Sequence, residues 1–230
     1  GWALLHDDWD WAGAEREMRR ALELNPNSVT AHFHYSTFLS SVGRHTEAIA
    51  TAHRGLELDP LSFLATINVA WRYQSARQYE KAIEYFRKAL ELDPNSDFAK
   101  EEIAEVLLQM GKHEQAIREL HKLREAPGVE GFVSAMLVEA YARTGRKREA
   151  AREFERVKVF DQKRLIPPAI MASVFLLRGD NQQALTCLEQ AYEERDPWLL
   201  YLVRLEPEVL EPLRDAPRFR QLLARIPAPP

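Results

Sequence analysis

Seven histidines, a single cysteine and several paired carboxylates are the groups in this 230-residue chain whose types could do chemistry. Their spacing argues against it. His32 and His34 are two residues apart, so on a helix they project in different directions, whereas a metal needs convergent ligands. His45 with His53, and His113 with His121, are eight apart, too far for one ion without a third ligand. Cys187, between Thr186 and Leu188, carries no cue for a lowered thiol pKa and reads as a structural thiol. Glu101 with Glu105, and Asp7 with Asp8, have the composition of an acid and a base. Exposed helix carboxylates without an enclosing pocket rarely act so. The chain holds no glycine-rich phosphate loop, no Gly-x-Ser-x-Gly elbow and no His-Glu-x-x-His pair. The expectation is a non-catalytic protein with no metal and no cofactor.

The elements that hold these residues follow an internal period. Ala14, Ala48, Ala82, Ala116, Ala150 and Ala184 recur every 34 residues without a slip. Four residues after each comes Met18, Ala52, Phe86, Leu120, Phe154 or Leu188, and three further on Ala21, Gly55, Ala89, Leu123, Val157 or Ala191. Those offsets share one helical face, so each alanine marks a helix whose small residues let a partner helix approach. Five residues before the alanine stands Gly43, Gly111, Gly145 or Gly179, with Arg77 the exception. A short turn between two helices wants a residue there that tolerates positive φ. Twelve residues after it, Pro26, Pro60 and Pro94 end one unit and open the next. Each 34-residue unit therefore reads as two helices. One such pair cannot bury its apolar face alone, so neighbours must stack.

Composition agrees: 46% apolar residues, 29% charged residues and 9 glycines describe a helix-rich globular chain. A net charge of -4 supplies no bulk field for DNA or anionic lipid, so neither nucleic acid nor membrane is an expected partner. One cysteine excludes an internal disulfide and mildly favours a cytoplasmic location.

The small-large-small-proline pattern resembles the tetratricopeptide repeat, best in the third unit, with Tyr73, Ala82, Phe86, Ala89 and Pro94 in place. The resemblance implies an all-α, right-handed superhelical solenoid of about six units: 1–27 (truncated), 28–61, 62–95, 96–129, 130–163 and 164–195. A capping segment, 196–230, follows. In the fifth unit the chain runs through Asp161 to Arg164, and Pro167-Pro168 is expected to open the next first helix. Asp215 is the expected N-cap of a last helix whose Phe219, Leu222, Leu223 and Ile226 would cover the open end. Counting back from Ala14 puts the first helix before Gly1, so the chain is expected to be a piece of a longer protein, without its initiator methionine. The tail, with Asp196-Pro197-Trp198, Pro212-Leu213-Arg214 and Pro217-Arg218-Phe219, is similar to the C-terminal repeat region of bacterial multidomain regulators. In those proteins such repeats follow winged-helix, protein kinase or nucleotide cyclase domains.

The repeat resemblance further implies that first helices line a concave groove and bind protein or peptide. Stepping along them gives Phe33, Thr37, Ile67, Trp71, Gln74, Glu101, Glu105 and Glu139 as candidate contacts, beside Leu64, Phe98 and Phe132. An apolar floor with acidic edges suits a ligand with aliphatic anchors and basic flanks. The carboxylate clamp of chaperone-type relatives is not matched, since Phe33, Thr37, Ile67, Trp71, Glu101 and Glu105 stand where Lys and Asn would be. Of the asparagine ladder of sugar-transferase relatives only Asn68 is present. Residues 143 to 164 hold nine Arg or Lys against four acids, a basic second helix that is solvated or docks an acidic partner. The competing expectation is a structural or oligomerisation module, for instance a homodimer formed through exposed Trp2, Leu5, Trp9 and Trp11.

Overall fold

The computed structural model describes residues 10–205 and 207–226, and these are helical throughout apart from turns. The helices are α1 (Trp11–Leu24), α2 (Val29–Ser41), α3 (His45–Leu58), α4 (Phe63–Ser75), α5 (Tyr79–Leu92), α6 (Asp97–Gln109), α7 (His113–Leu123), α8 (Glu130–Arg143), α9 (Lys147–Gln162), α10 (Pro168–Leu177), α11 (Asn181–Glu193) and α12 (Pro197–Leu205). A 3-10 stretch, Pro207–Leu213, and α13 (Pro217–Arg225) end the fold. The fold class is an all-helical solenoid of helix–turn–helix units. Trp2, Leu5 and Trp9 lie outside the described residues.

Local chemistry explains where the helices begin and stop. Ser28, Ser62 and Ser96, again 34 apart, each accept a hydrogen bond from the backbone N–H three residues on, at Ala31, Ala65 and Ala99, all at 3.2 Å. Each cap satisfies one of the orphan donors of a helix start and contributes about 1 kcal/mol. Within the hairpins the turn residue is left-handed: φ is +77° at Gly43, +72° at Gly111, +74° at Gly145 and +76° at Gly179. Arg77, the one departure from glycine, adopts the same geometry at φ +56°. The turn thus imposes its conformation on an L-residue, at a cost of about 1 kcal/mol.

The repeated face is the core. Ala14, Ala48, Ala82, Ala116 and Ala184 have no exposed surface, and Phe86, Leu120 and Leu188 are sealed one turn later. Ala150 departs from the pattern and stays partly exposed, and Ala21 is exposed. Pro168 opens α10 behind Pro167, as the paired prolines imply. At the last helix the cap position belongs to Ala216, with Pro217 the first helical residue, rather than to Asp215. Proline at the first position already lacks one of the orphan N–H groups, so a side-chain cap has less to satisfy. Phe219, Leu222 and Ile226 are buried as the covering stripe requires, and Leu223 is partly so.

The chain divides into two compact units. In the first, up to Ala99, α2 pairs with α3 and α4 with α5, around Phe38, Leu39, Ile67 and Phe86. Trp11 is buried there, 6.5 Å from the ring of Phe38, so it is a core residue and not part of an exposed edge. In the second unit, Lys100–Ile226, α8 pairs with α9 and α10 with α11, while α12 packs on α10 and α13 on α11. A histidine–tyrosine bond joins neighbouring repeats once in each unit. His53 Nε2 lies 2.9 Å from the Tyr73 hydroxyl, and His121 Nε2 lies 2.8 Å from the Tyr141 hydroxyl, two whole periods further on. In the second unit a partly buried ion pair runs from Arg124 Nη2 to Glu153 Oε1 at 2.6 Å.

Candidate functional site

In the first unit, aromatic rings on successive first helices form a ladder. Phe33 on α2 meets Trp71 on α4 edge to face, centroids 6.3 Å apart and planes at 75°. Trp71 meets Phe98, at the start of α6, in the same way at 5.9 Å and 81°. All three rings keep part of their surface in solvent, Phe98 as much as 39%. Leu64, seven residues before Trp71 and so on the same face of α4, is 55% exposed. Edge-to-face contact holds each ring in a fixed orientation while leaving it open to a further apolar group.

The other expected contacts of this unit sit differently. Ile67 has no exposed surface and Gln74 is buried, so neither offers surface of its own to a ligand. The Thr37 hydroxyl donates to the carbonyl of Phe33 at 3.0 Å, a bond internal to α2. Asn68 is buried, with its amide donating to Ser36 Oγ at 2.9 Å, which removes it from any ladder of exposed asparagines. Below the face lies a group that the periodicity does not announce. Arg72 is buried at a position where other first helices carry Phe38, Val106 and Ala140. Its Nε and Nη1 have no hydrogen-bond partner, and burial pulls its pKa down to about 10. His45 is held below the usual histidine range by burial and by the charge of Arg72.

In the second unit the acidic residues are engaged by the chain itself. Glu101 and Glu105 are one turn apart on α6, both partly buried. Desolvation, and then the charge of Glu105, pushes Glu101 up to about 8. The Tyr201 hydroxyl of α12 donates to Glu105 Oε1 at 3.1 Å and accepts from Gln109 Nε2 at 3.1 Å. One turn earlier on α12, Trp198 lies 6.1 Å from Phe132 of α8 and 5.4 Å from Tyr201. Glu139 is raised by burial, against the pull of Arg143 and His113, and sits 3.7 Å from Arg143 Nε. Helix α12 thus supplies an aromatic and hydroxyl lining over the acidic part of this face. The sequence signal for it is weak, because Tyr201 and Glu105 are 96 residues apart.

Among the described residues no three His, Cys, Asp or Glu side chains converge on a point suited to a metal. Cys187 packs against the core around Phe154, Val157 and Met171, and burial raises its thiol to about 11, which leaves it protonated near neutral pH. No helix among the described residues is long and apolar enough to cross a membrane. The tail motif plays a packing part: Asp196 Oδ2 accepts from the backbone N–H of Ala169 at 3.0 Å, and its Oδ1 from that of Trp198 at 2.9 Å. Arg218 forks onto Glu189, at 3.1 and 2.7 Å.

Comparison with solved structures finds similar helical chains. A tetratricopeptide repeat protein from Parabacteroides merdae ATCC 43184 matches 96% of this chain and 88% of its own, at TM-score 0.58 and 18% identity. PilF from Pseudomonas aeruginosa matches over 86% of this chain and 90% of its own, at TM-score 0.56 and 19% identity. MamA matches over 70% and 94%, at TM-score 0.54 and 22% identity. At such identities the likeness is one of fold. No curated protein matches in sequence. Tetratricopeptide repeat profiles match residues 10–63 and 39–97, and a second such profile residues 73–128. With its 34-residue period, its left-handed hairpin turns and more than half its length matched by these profiles, the chain belongs to the tetratricopeptide repeat family.

Proposed function

We propose that this chain is a non-catalytic scaffold that recognises a protein or peptide on the inward faces of its first helices. The observation that carries the reading is the ladder Phe33–Trp71–Phe98: three large rings, held in order by edge-to-face contacts, that a stable core would bury and that here stay partly in solvent. Tryptophan at the centre of such a strip is the residue type that most often dominates binding energy. The ligand class is a segment with aliphatic anchors for the ladder and Leu64. In the second unit, taken by itself, Glu101 and Glu139 favour a basic group, because an incoming cation offsets the desolvation that raises both carboxyls.

The tail supports a wider reading, in which the scaffold is the partner-binding or sensing part of a larger bacterial regulatory protein. Its support is the similarity carried by Asp196-Pro197-Trp198 and Pro217-Arg218-Phe219, motifs whose side chains lock the last helices together. The test is to pan a random-peptide display library against the chain and against Trp71→Ala. Clones with apolar anchors that enrich on the first and vanish on the second support the reading. Equal enrichment on both, or none on either, refutes it.

A further inference from the structure

Helix α9 is the longest of the fold, and the charges on it are not all spent. Of its basic residues and those beside it, Arg146 pairs with Glu114 at 2.6 Å, Arg156 with Glu125 at 3.4 Å and Glu153 at 3.6 Å, Lys158 with Glu155 at 2.6 Å, and Arg164 with Glu194 at 2.6 Å. Arg148, Arg152 and Lys163 have no ion pair among the described residues, and all three are exposed. Steps of four and seven residues put Arg148, Arg152 and Val159 on one face of the helix, and Lys163, its C-cap, follows four residues on. Val159, in the middle of that face, is 49% exposed, and Leu165, just past the end of it, is 58% exposed. The stripe is about 22 Å long at 1.5 Å per residue. Glu149 and Glu155 lie on its two flanks, the latter already neutralised by Lys158. The apolar residues that belong to the solenoid, Phe154 and Val157, point the other way into the core.

We infer that this outer stripe of α9 is a docking surface for an acidic protein segment carrying an aliphatic anchor. Charge complementarity selects the occupant: three unpaired cations in a row present a positive field on a chain whose net charge is -4, so the field is local and not a property of the whole molecule. Exposed Val159 and Leu165 select protein over nucleic acid. A phosphate backbone would use the cations and gain nothing from two aliphatic side chains. An anionic membrane is disfavoured by the same pair, since two aliphatic residues without an aromatic or a continuous apolar face give little to insert. The stripe shares no residue with the aromatic ladder, so this inference does not rest on the ladder reading.

The experiment is peptide display on the full chain, on Arg148→Glu/Arg152→Glu/Lys163→Glu, and on Trp71→Ala, with a circular-dichroism melt of each to confirm folding. The expected result is a class of clones rich in Asp and Glu around a Leu, Ile or Val. They should bind the parent and Trp71→Ala equally, lose tenfold or more in affinity on the charge-reversed chain, and weaken with added salt. A graded variant, Arg148→Gln/Arg152→Gln/Lys163→Gln, should show an intermediate loss, and Val159→Asp a loss for the anchored clones. The inference is overturned if no acidic clones enrich, if they bind the charge-reversed chain as well as the parent, or if phosphatidylserine vesicles or duplex DNA bind the stripe more tightly than the best peptide. Loss of these clones on Trp71→Ala alone would assign them to the aromatic ladder instead. Absence of ladder-dependent clones, with acidic clones retained, would leave this surface standing while the ladder reading failed.

Discussion

Tyr201 donates its hydroxyl proton to Glu105 at 3.1 Å, tying α12 to α6 across 96 residues of chain. Gln109 donates to the same hydroxyl, so removing the oxygen deprives two partly buried polar groups at once. Tyr201→Phe is therefore expected to cost about 0.5–1.5 kcal/mol in a chemical unfolding titration. An unchanged midpoint would show that the bond has no net worth in the folded chain.

Glu101 makes stability depend on pH. Its pKa rises from an ordinary 4.5 to about 8 when the chain folds. Between those values the folded chain keeps a proton that the unfolded chain has released, so stability falls as pH rises through the window and levels off above it. Glu101→Gln removes the titration. Allowing for the water that still reaches this side chain, the variant should be ~1–3 kcal/mol more stable than the parent above pH 8, and near parity below about pH 4.5. Thermal melts across that range check the sign; a parent whose stability rises with pH in parallel with the variant's contradicts the assignment.

Arg72 is a cation in the core with two nitrogens unpartnered. Burying a charge without a counter-ion costs more than an apolar group of like size, which is what the same position holds in neighbouring repeats. Arg72→Met is expected to raise the unfolding free energy by ~1–3 kcal/mol, seen as a higher urea midpoint with the slope unchanged. A loss of stability would mean that the guanidinium earns its place through contacts worth more than its desolvation.

Ala82 has no exposed surface and sits where two helices of one unit meet. Ala82→Phe should lose ~1–3 kcal/mol by overpacking, read from a thermal melt. No loss would count against the register of the whole repeat.

The period of 34 residues made the helical pairs, their turns and most of the core legible, because small and large residues at fixed offsets encode nearest-neighbour packing. The serine caps at 28, 62 and 96 were open to the same reading through their own 34-residue spacing. Other features were not. The left-handed turn at Arg77 is enforced by its neighbours, and nothing in an arginine announces it. Trp11 reads as an edge residue by chain position and is buried by Phe38, a contact from the next helical pair. On the candidate site, spacing identifies the ladder rings, but Ile67 and Gln74 share their helix and differ in depth, which side-chain packing decides. The engagement of Glu105 by Tyr201 belongs to long-range packing, which a local period does not encode.

The aromatic ladder is the recognition surface proposed for this chain. Its most direct test is calorimetric titration of a display-selected, apolar-anchored peptide into the parent, Trp71→Ala and Tyr201→Phe. At least a tenfold loss of affinity is expected for Trp71→Ala, the effect of removing a central aromatic anchor, at an unfolding midpoint that confirms an intact fold. Equal affinity for the parent and Trp71→Ala would contradict it.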